Sequence, residues 1–323
     1  MSERKPGIIF AGGGTGGHLY PALAVAAELR RRRGDARILF VGTRRGIESR
    51  VVPGEGFDIR YISSRGVRGR RGLGAAVTAL TLAVGVLQAL HLVAGFSPDL
   101  VFGSGGYASA AVVIAASALH RRIVLQEQNA VPGLTNRKLA SRAGRIYLGF
   151  DAARRWLPGH PGLVVTGNPL RRELFSVGGD PRATFGFDDR PVLLVFGGSQ
   201  GARTLNDAAS AFLSRATDVQ GIVQTGTRDL ERTRTRLADA GDRVRVIPFI
   251  EKMHLAYRAA DLVLARAGAL SISEIAAVGL PAILVPYPYA ADDHQRWNAR
   301  TLVDAGGAVS IDDDELDLSL IHI

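Results

Sequence analysis

Twice in this chain an apolar run of strand length ends in a glycine-rich turn that opens a helical pattern. That repetition constrains the fold more than any other feature. Gly7–Ala11 leads into Gly12-Gly13-Gly14-Thr15-Gly16-Gly17-His18 and the helical pattern Leu19–Arg33. Val192–Phe196 leads into Gly197-Gly198-Ser199-Gln200-Gly201 and the pattern Leu205–Ser214. A strand, glycine turn and helix start leave the first helical N–H groups unpaired and facing outward, which suits an oxyanion or a phosphate. Further strand-like runs alternate with helical ones: Ile38–Val41, Leu100–Phe102, Ile123–Leu125, Arg145–Leu148 and Leu163–Val165, then Gly221–Gln224, Val244–Pro248, Leu262–Leu264 and Ala282–Val285. This βα alternation predicts an α/β chain of two Rossmann-like domains whose parallel sheets face a cleft. The breaker cluster Gly167-Asn168-Pro169 suits a hinge, giving domains 1–167 and 168–323. Ligands of such sheets sit beyond the carboxyl ends of the strands, so both glycine loops are expected to face the cleft.

Composition narrows the function classes. There is no cysteine, which removes disulfides, thiolate chemistry and zinc ribbons and fits a reducing compartment. Met1–Lys5 run straight into a strand, so no signal peptide is expected and a cytoplasmic protein is the default. The formal charge of +10 rests almost wholly on arginine, with lysine only at Lys5, Lys138 and Lys252, as a GC-rich genome alone would produce. Read functionally, it attracts phosphates. Sparse aromatics and the lack of a recognisable binding module argue against nucleic acid. Arg65, Arg68, Arg70 and Arg71 form a glycine-spaced basic loop before Leu73–Phe96, a run free of Asp, Glu, Lys and Arg. Its length raises the question of a membrane span. Gln88 and His91 interrupt it, and it lies inside a βα alternation, so a domain helix is expected. An apolar face beside four arginines would dock on an anionic membrane surface.

Gly12, Gly14 and Gly17 also spell G-x-G-x-x-G, the dinucleotide fingerprint. That reading needs an acid at the end of the second strand to hold the ribose. Phe40-Val41-Gly42-Thr43-Arg44-Arg45 offers none, although Arg44 or Arg45 would meet the 2′-phosphate of NADP, which keeps an NADP-dependent oxidoreductase as an alternative. A sugar-nucleotide transferase accounts for both loops. Ser199 and its backbone would hold a diphosphate, and Arg171 would neutralise it. Glu274, before the helical run Ile275–Val278, would accept the ribose hydroxyls or simply favour a helix start. Gln295, in Asp292-Asp293-His294-Gln295, would project into the cleft or belong to a solvated loop. Imidazole titrates near neutrality, and His18 stands at the helix start of a glycine loop, so it is the leading candidate for a catalytic base.

Several stretches together resemble the MurG family, bacterial enzymes that add N-acetylglucosamine to lipid I in peptidoglycan synthesis. They are Gly12–His18 with Pro21-Ala22-Leu23-Ala24, Gly103-Ser104-Gly105-Gly106-Tyr107, Glu127-Gln128-Asn129-Ala130, Gly167-Asn168-Pro169-Leu170-Arg171, Gly197–Arg203 with Asn206, Pro248-Phe249-Ile250, Gly268–Pro281, and His294-Gln295 with Trp297-Asn298-Ala299. The resemblance implies the GT-B architecture, inversion at the sugar carbon, UDP-N-acetylglucosamine as donor, and the C4 hydroxyl of the muramoyl residue of lipid I as acceptor. It implies donor contacts at Thr15, Gly16, Gly17, Asn129, Arg171, Ser199, Ile250, Ala269, Leu270, Ser271, Ile272, Ser273, Glu274 and Gln295. Ile250 would offer backbone hydrogen bonds to uracil, Glu274 would hold the ribose, and Asn129 would reach the sugar hydroxyls. His18 would be the base, with Glu127 a second candidate. Leaving-group charge would fall to Arg171 and the Ser199 loop, with no metal and no cofactor. The first domain would take the acceptor and the membrane, and the enzyme would lie peripherally on the cytoplasmic face of the plasma membrane. Gln126 departs from the family, which commonly has histidine there. Family members run on beyond this chain's end, and Leu318–Ile323 does not match that continuation, so truncation or a foreign tail is expected, with reduced activity. A transferase with a soluble acceptor and an inactive binding module remain as alternatives.

Overall fold

The computed structural model describes residues 5–64, 73–176 and 178–316. The basic positions Arg65, Arg68, Arg70 and Arg71 and the tail Leu318–Ile323 lie outside the described residues. The chain divides into two compact units, Met1–Leu170 and Arg171–Ile323.

The first unit runs β1 (Gly7–Ala11), α1 (Gly16–Arg32), β2 (Arg37–Gly42), α2 (Glu48–Gly54), β3 (Asp58–Tyr61), α3 (Leu73–Phe96), β4 (Leu100–Gly103), α4 (Gly106–Ala118), β5 (Arg122–Glu127), α5 (Leu134–Leu139), β6 (Arg145–Leu148) and β7 (Leu163–Val165). Its seven strands are all parallel, in the order β3-β2-β1-β4-β5-β6-β7. β1 is central and buried along its length because helices cover both faces of a parallel sheet. Its side chains alternate accordingly. Ile8 and Phe10 join Leu19, Leu23 and Phe40 on one face, whereas Ile9 and Ala11 join Ala89, Val93 and Val112 on the other. The Phe10 and Phe40 rings stack at 5.2 Å. Strand order reverses between β1 and β4, the switch point where such sheets bind ligands.

The second unit runs α6 (Pro181–Phe185), β8 (Val192–Phe196), α7 (Arg203–Leu213), β9 (Gln220–Gln224), α8 (Leu230–Arg236), β10 (Val244–Ile247), α9 (Met253–Ala259), β11 (Leu262–Ala265), α10 (Ala269–Val278), β12 (Ala282–Leu284), α11 (His294–Val303) and β13 (Ala308–Ser310). Six parallel strands lie in the order β10-β9-β8-β11-β12-β13, with the switch point between β8 and β11. Leu193 and Val195 pack on Leu205, Ala209 and Leu213 of α7.

The expected α/β class and the parallel sheets stand. Two strands were not expected, β3 and β13, because both are short edge strands without an apolar run. Three helices begin earlier than their apolar periodicity suggests. α1 starts at Gly16 and α7 at Arg203, and α10 starts at Ala269, so Ala269–Glu274 is helix rather than the loop expected there. Gly268, extended at φ −66° and ψ 141°, is the N-cap residue that turns the chain into α10.

The apolar run forms α3 throughout its expected length. Val77–Phe96 is long and apolar enough to cross a membrane, yet one side of it belongs to the unit's core. Ala89 and Val93 are fully buried, and Leu82, Val86 and Leu90 pack beside them. Gln88 accepts a 2.6 Å hydrogen bond from the Ser63 N–H, so a residue that breaks the apolar run ties the helix down. Val77, Leu80, Val84 and Leu87 form a stripe on the opposite side, where Leu80 and Leu87 are each 67% exposed.

Candidate functional site

In the first unit the glycine loop after β1 rests on a buried carboxylate. Glu48 is 1% exposed. Its Oε2 accepts the Gly14 N–H at 2.9 Å, and its Oε1 accepts the Thr43 N–H at 2.8 Å and the Thr43 hydroxyl at 2.9 Å. A Cβ at Gly13 or Gly46 would lie 2.5 or 2.0 Å from this carboxyl group. The expectation that no acid stands at the end of β2 is therefore corrected: Glu48 folds back from α2 to that place. Both its oxygens are committed to the protein, so it is not set to hold a ribose. With the Gly14 N–H already donated to Glu48, that group is also not available to a cofactor pyrophosphate.

Thr15 is the exposed N-cap of α1, extended at φ −135° and ψ 158°, and makes no side-chain cap. Gly16 and Gly17 follow it in the first turn, where helical N–H groups lack intrahelical partners. His18 lies one step further. Its Nδ1 is 2.9 Å from the Ser104 carbonyl oxygen and 3.3 Å from Gln128 Oε1. Both neighbours are acceptors, so Nδ1 carries the hydrogen and the neutral ring keeps its lone pair on Nε2. The ring lies against Gly105, whose φ of +94° and whose missing Cβ (which would come 2.9 Å from Nδ1) allow the close approach.

Gln128 Nε2 donates to the Ser104 carbonyl at 2.8 Å and to Gln126 Oε1. Gln126 Nε2 donates to Asn168 Oδ1 at 3.0 Å, and Asn168 Nδ2 returns to the Gln128 carbonyl at 2.9 Å. Glu127 points elsewhere. Its Oε1 accepts the Asn129 N–H at 2.9 Å and the Asn129 amide at 3.3 Å, and its Oε2 accepts the Gly133 N–H at 3.0 Å and Asn136 Nδ2 at 2.8 Å. This 1%-exposed carboxylate organises the loop that presents Asn129.

In the second unit the candidate residues other than Arg171, which precedes β8, lie on segments that follow β8, β10, β11 and β12, all at the carboxyl edge of one sheet. Ser199 is exposed on the turn after β8. That turn is tight. At Gly201, φ is +73° and a Cβ would fall 1.8 Å from the Thr225 carbonyl oxygen. Gln224 Nε2 donates to the Gly198 carbonyl at 2.9 Å, while Gln224 Oε1 accepts the Ile250 N–H at 2.8 Å. Ile250 was expected to offer backbone hydrogen bonds to uracil. Its N–H is already donated to Gln224, which leaves its carbonyl for that task.

Glu274 lies in the second turn of α10, not just before the helix as expected. Its Oε2 accepts the buried Tyr257 hydroxyl at 3.0 Å, and its Oε1 lies 4.0 Å from Arg171. Burial raises its pKa above the ordinary carboxylate value, opposed by the Arg171 charge and the Tyr257 hydrogen bond. The same burial and the adjacent carboxylate push the Tyr257 hydroxyl well above its usual range, so it stays a donor. Ala269, Leu270, Ser271, Ile272 and Ser273 form the start of α10, where the Ser273 hydroxyl is turned back to the Ala269 carbonyl at 2.9 Å. Gln295 accepts the Tyr287 N–H at 2.9 Å and so fixes the segment after β12.

Arg266, to which sequence reasoning gave no role, underpins these segments. Its guanidinium donates to Thr204 Oγ1 at 2.8 Å and to the Val285 and Pro286 carbonyls at 3.3 Å, and it pairs with Asp313 at 2.5 Å. Asp312 pairs with Arg296 at 2.8 Å. Two members of the acidic run Asp312–Glu315 therefore have arginine partners. Glu48, Gln128, Gln224 and Arg266 were all missed because none lies in a local pattern that marks it. Their partners stand 34, 110, 26 and 62 residues away.

Residues 8–148 match the model of the glycosyltransferase family 28 N-terminal domain, and residues 192–322 match that of the C-terminal domain. A UDP-N-acetylglucosamine--N-acetylmuramyl-(pentapeptide) pyrophosphoryl-undecaprenol N-acetylglucosamine transferase of Syntrophus aciditrophicus is 44% identical, covering 96% of this chain and 86% of the relative. The protein of the same name from Salinibacter ruber is 43% identical over 99% and 87% of the two chains. Among solved structures, MurG of Acinetobacter baumannii is similar with a TM-score of 0.76 and 30% identity, covering 98% of this chain and 88% of that one.

Proposed function

The chain belongs to glycosyltransferase family 28, and from that membership we propose that it transfers N-acetylglucosamine from UDP-N-acetylglucosamine to the C4 hydroxyl of the muramoyl residue of lipid I. The product is lipid II for peptidoglycan synthesis, formed with inversion. The observation that carries the reading is His18, an imidazole tied through Nδ1 at the switch point of the first sheet, with Nε2 left as proton acceptor. An inverting displacement needs that group to take the acceptor proton as oxygen attacks the sugar carbon. The departing UDP carries its new charge toward Arg171 and the N–H groups of the Ser199 turn and α7. Glu274 receives the ribose hydroxyls, the Ile250 carbonyl meets the base, and Gln295 holds the loop after β12. Thr15, Gly16, Gly17 and Asn129 take the donor sugar.

The direct test is turnover of UDP-N-acetylglucosamine with a lipid I analogue, with and without EDTA. Product formation unaffected by the chelator is expected. Stabilisation by NADPH but not by the sugar nucleotide would sink the reading in favour of an oxidoreductase. Glu274→Ala is expected to weaken UDP binding about 10- to 100-fold by titration calorimetry, the loss of a charge-assisted pair of hydrogen bonds. The ionised carboxylate accepts both ribose hydroxyls, and burial raises its pKa. Affinity should therefore fall with decreasing pH at a higher pH than for an ordinary glutamate. Wild-type affinity in Glu274→Ala would remove the ribose assignment.

We further propose that the enzyme docks peripherally on the anionic cytoplasmic face of the plasma membrane. The exposed stripe Val77, Leu80, Val84 and Leu87 supports this. Burying a leucine is worth about 1.5–3 kcal/mol, so Leu80→Ser with Leu87→Ser should weaken sedimentation with anionic vesicles at least tenfold, roughly. Neutralising the four arginines of residues 65–71 should abolish the salt-sensitive part. Vesicle binding unchanged in both variants would favour a soluble acceptor.

A further inference from the structure

We propose that Gln128, backed by Gln126 and Asn168, is a positioning residue that holds the His18 ring with its hydrogen on Nδ1 and its lone pair on Nε2. The inference rests on the reading of His18 as the base and names the groups that prepare it. Four side chains form one chain of hydrogen bonds whose direction cannot be reversed. The His18 Nδ1–H donates to Gln128 Oε1 as well as to the Ser104 carbonyl. Both hydrogens of the Gln128 amide are taken, one by the Ser104 carbonyl and one by Gln126 Oε1. Turning that amide over would set its oxygen against two other oxygens. Gln126 is held in the same sense by Asn168 Oδ1, and Asn168 by the Gln128 carbonyl, so the chain closes on itself.

Gln126 and Gln128 are each 1% exposed and Asn168 is 9% exposed, so water does not compete for these contacts. Buried amides in low dielectric are costly to leave unpaired, which makes the single satisfied arrangement a strong constraint on the ring. Because all three links are amides, none reverses its polarity with pH. The room is shaped for them as well: a Cβ at Gly149 would lie 2.5 Å from Asn168 Oδ1. Without Gln128 the Ser104 carbonyl would be the ring's remaining tie of the two, one contact about which the imidazole can rotate. Asn168 lies two residues before the division between the units, so the chain that sets the base ends on the linking segment.

The test compares Gln128→Met and Gln126→Met with the wild type, neither variant altering His18 itself. Histidine ring nitrogens are followed by nitrogen-15 NMR, and the His18 signals are assigned among the seven histidines by their loss in His18→Ala. The wild-type ring is expected as the Nδ1–H tautomer. Gln128→Met should move both nitrogen signals toward tautomer-averaged values, and Gln126→Met should move them less in the same direction. In step, kcat should fall about 10- to 100-fold for Gln128→Met, within the range a general base contributes. UDP affinity should stay within about twofold in both variants, which reports that the protein is folded. A wild-type ring protonated on Nε2, or unmoved signals in Gln128→Met, overturns the proposal. Signals that move while kcat does not would leave the hold on the ring standing and overturn His18 as the base.

Discussion

His18→Ala is expected to lower kcat by about 10²–10⁴ while UDP affinity stays within about twofold. The imidazole makes its two hydrogen bonds through Nδ1 to Ser104 and Gln128, inside the first unit. The residues proposed for the nucleotide, Arg171, Ser199, Ile250 and Glu274, belong to the second unit. Loss of the ring therefore removes a proton acceptor and leaves the residues proposed to hold UDP unaltered. His18→Asn is the sharper variant, since its Nδ2 stands where Nδ1 does, can still donate to the Ser104 carbonyl and cannot take a proton. Steady-state kinetics with a lipid I analogue, beside calorimetry with UDP, separate the two effects. A rate unchanged in both variants would show that another group removes the acceptor proton.

Glu127→Ala is expected to act on stability before chemistry. Its carboxylate accepts four hydrogen bonds, from Asn129 twice and from Gly133 and Asn136 once each. Removing it takes an acceptor from each of these donors, of which Asn136 is buried and keeps the Gln126 carbonyl, Asn129 is half-buried and Gly133 is exposed, at about 1–3 kcal/mol for each group that water cannot reach. A loss of about 3 kcal/mol corresponds to a fall of roughly 6–12 °C in the melting of a unit of this size. Glu127→Gln should not restore it. One end of the amide would still accept from Asn129, but the other would set an NH2 group against the Gly133 and Asn136 donors. Differential scanning calorimetry, followed transition by transition because the chain has two units, gives the result. Full thermal stability combined with lost turnover in Glu127→Gln would instead assign Glu127 to proton transfer.

The strands legible in the sequence were those buried on both faces, which read as continuous apolar runs: Gly7–Ala11 and Val192–Phe196 above all. β3, Asp58-Ile59-Arg60-Tyr61, escaped because an edge strand can carry charge where no helix covers it. A helix start was misjudged where glycine opens the helix, at Gly16 and Gly17. Such residues are weak helix formers, and there tertiary packing overrides propensity. His18 and Ser199 could be picked out as candidates because glycine turns are local features.

What those residues can do was decided elsewhere. Sequence alone determined two parallel α/β sheets, a glycine turn after the leading strand of each, and the polar residues that follow those turns. All of these are set by neighbours within a few positions. Only the tertiary structure decided which groups remain free to act. Gly14 gives its N–H to Glu48, Ile250 gives its N–H to Gln224, Glu127 is enclosed by its own loop, and His18 is turned by Gln128. Each of these outcomes is a hydrogen bond whose direction depends on both partners. All but that of Glu127 join residues 26 to 110 positions apart, which become neighbours only when the strands between them close into a sheet.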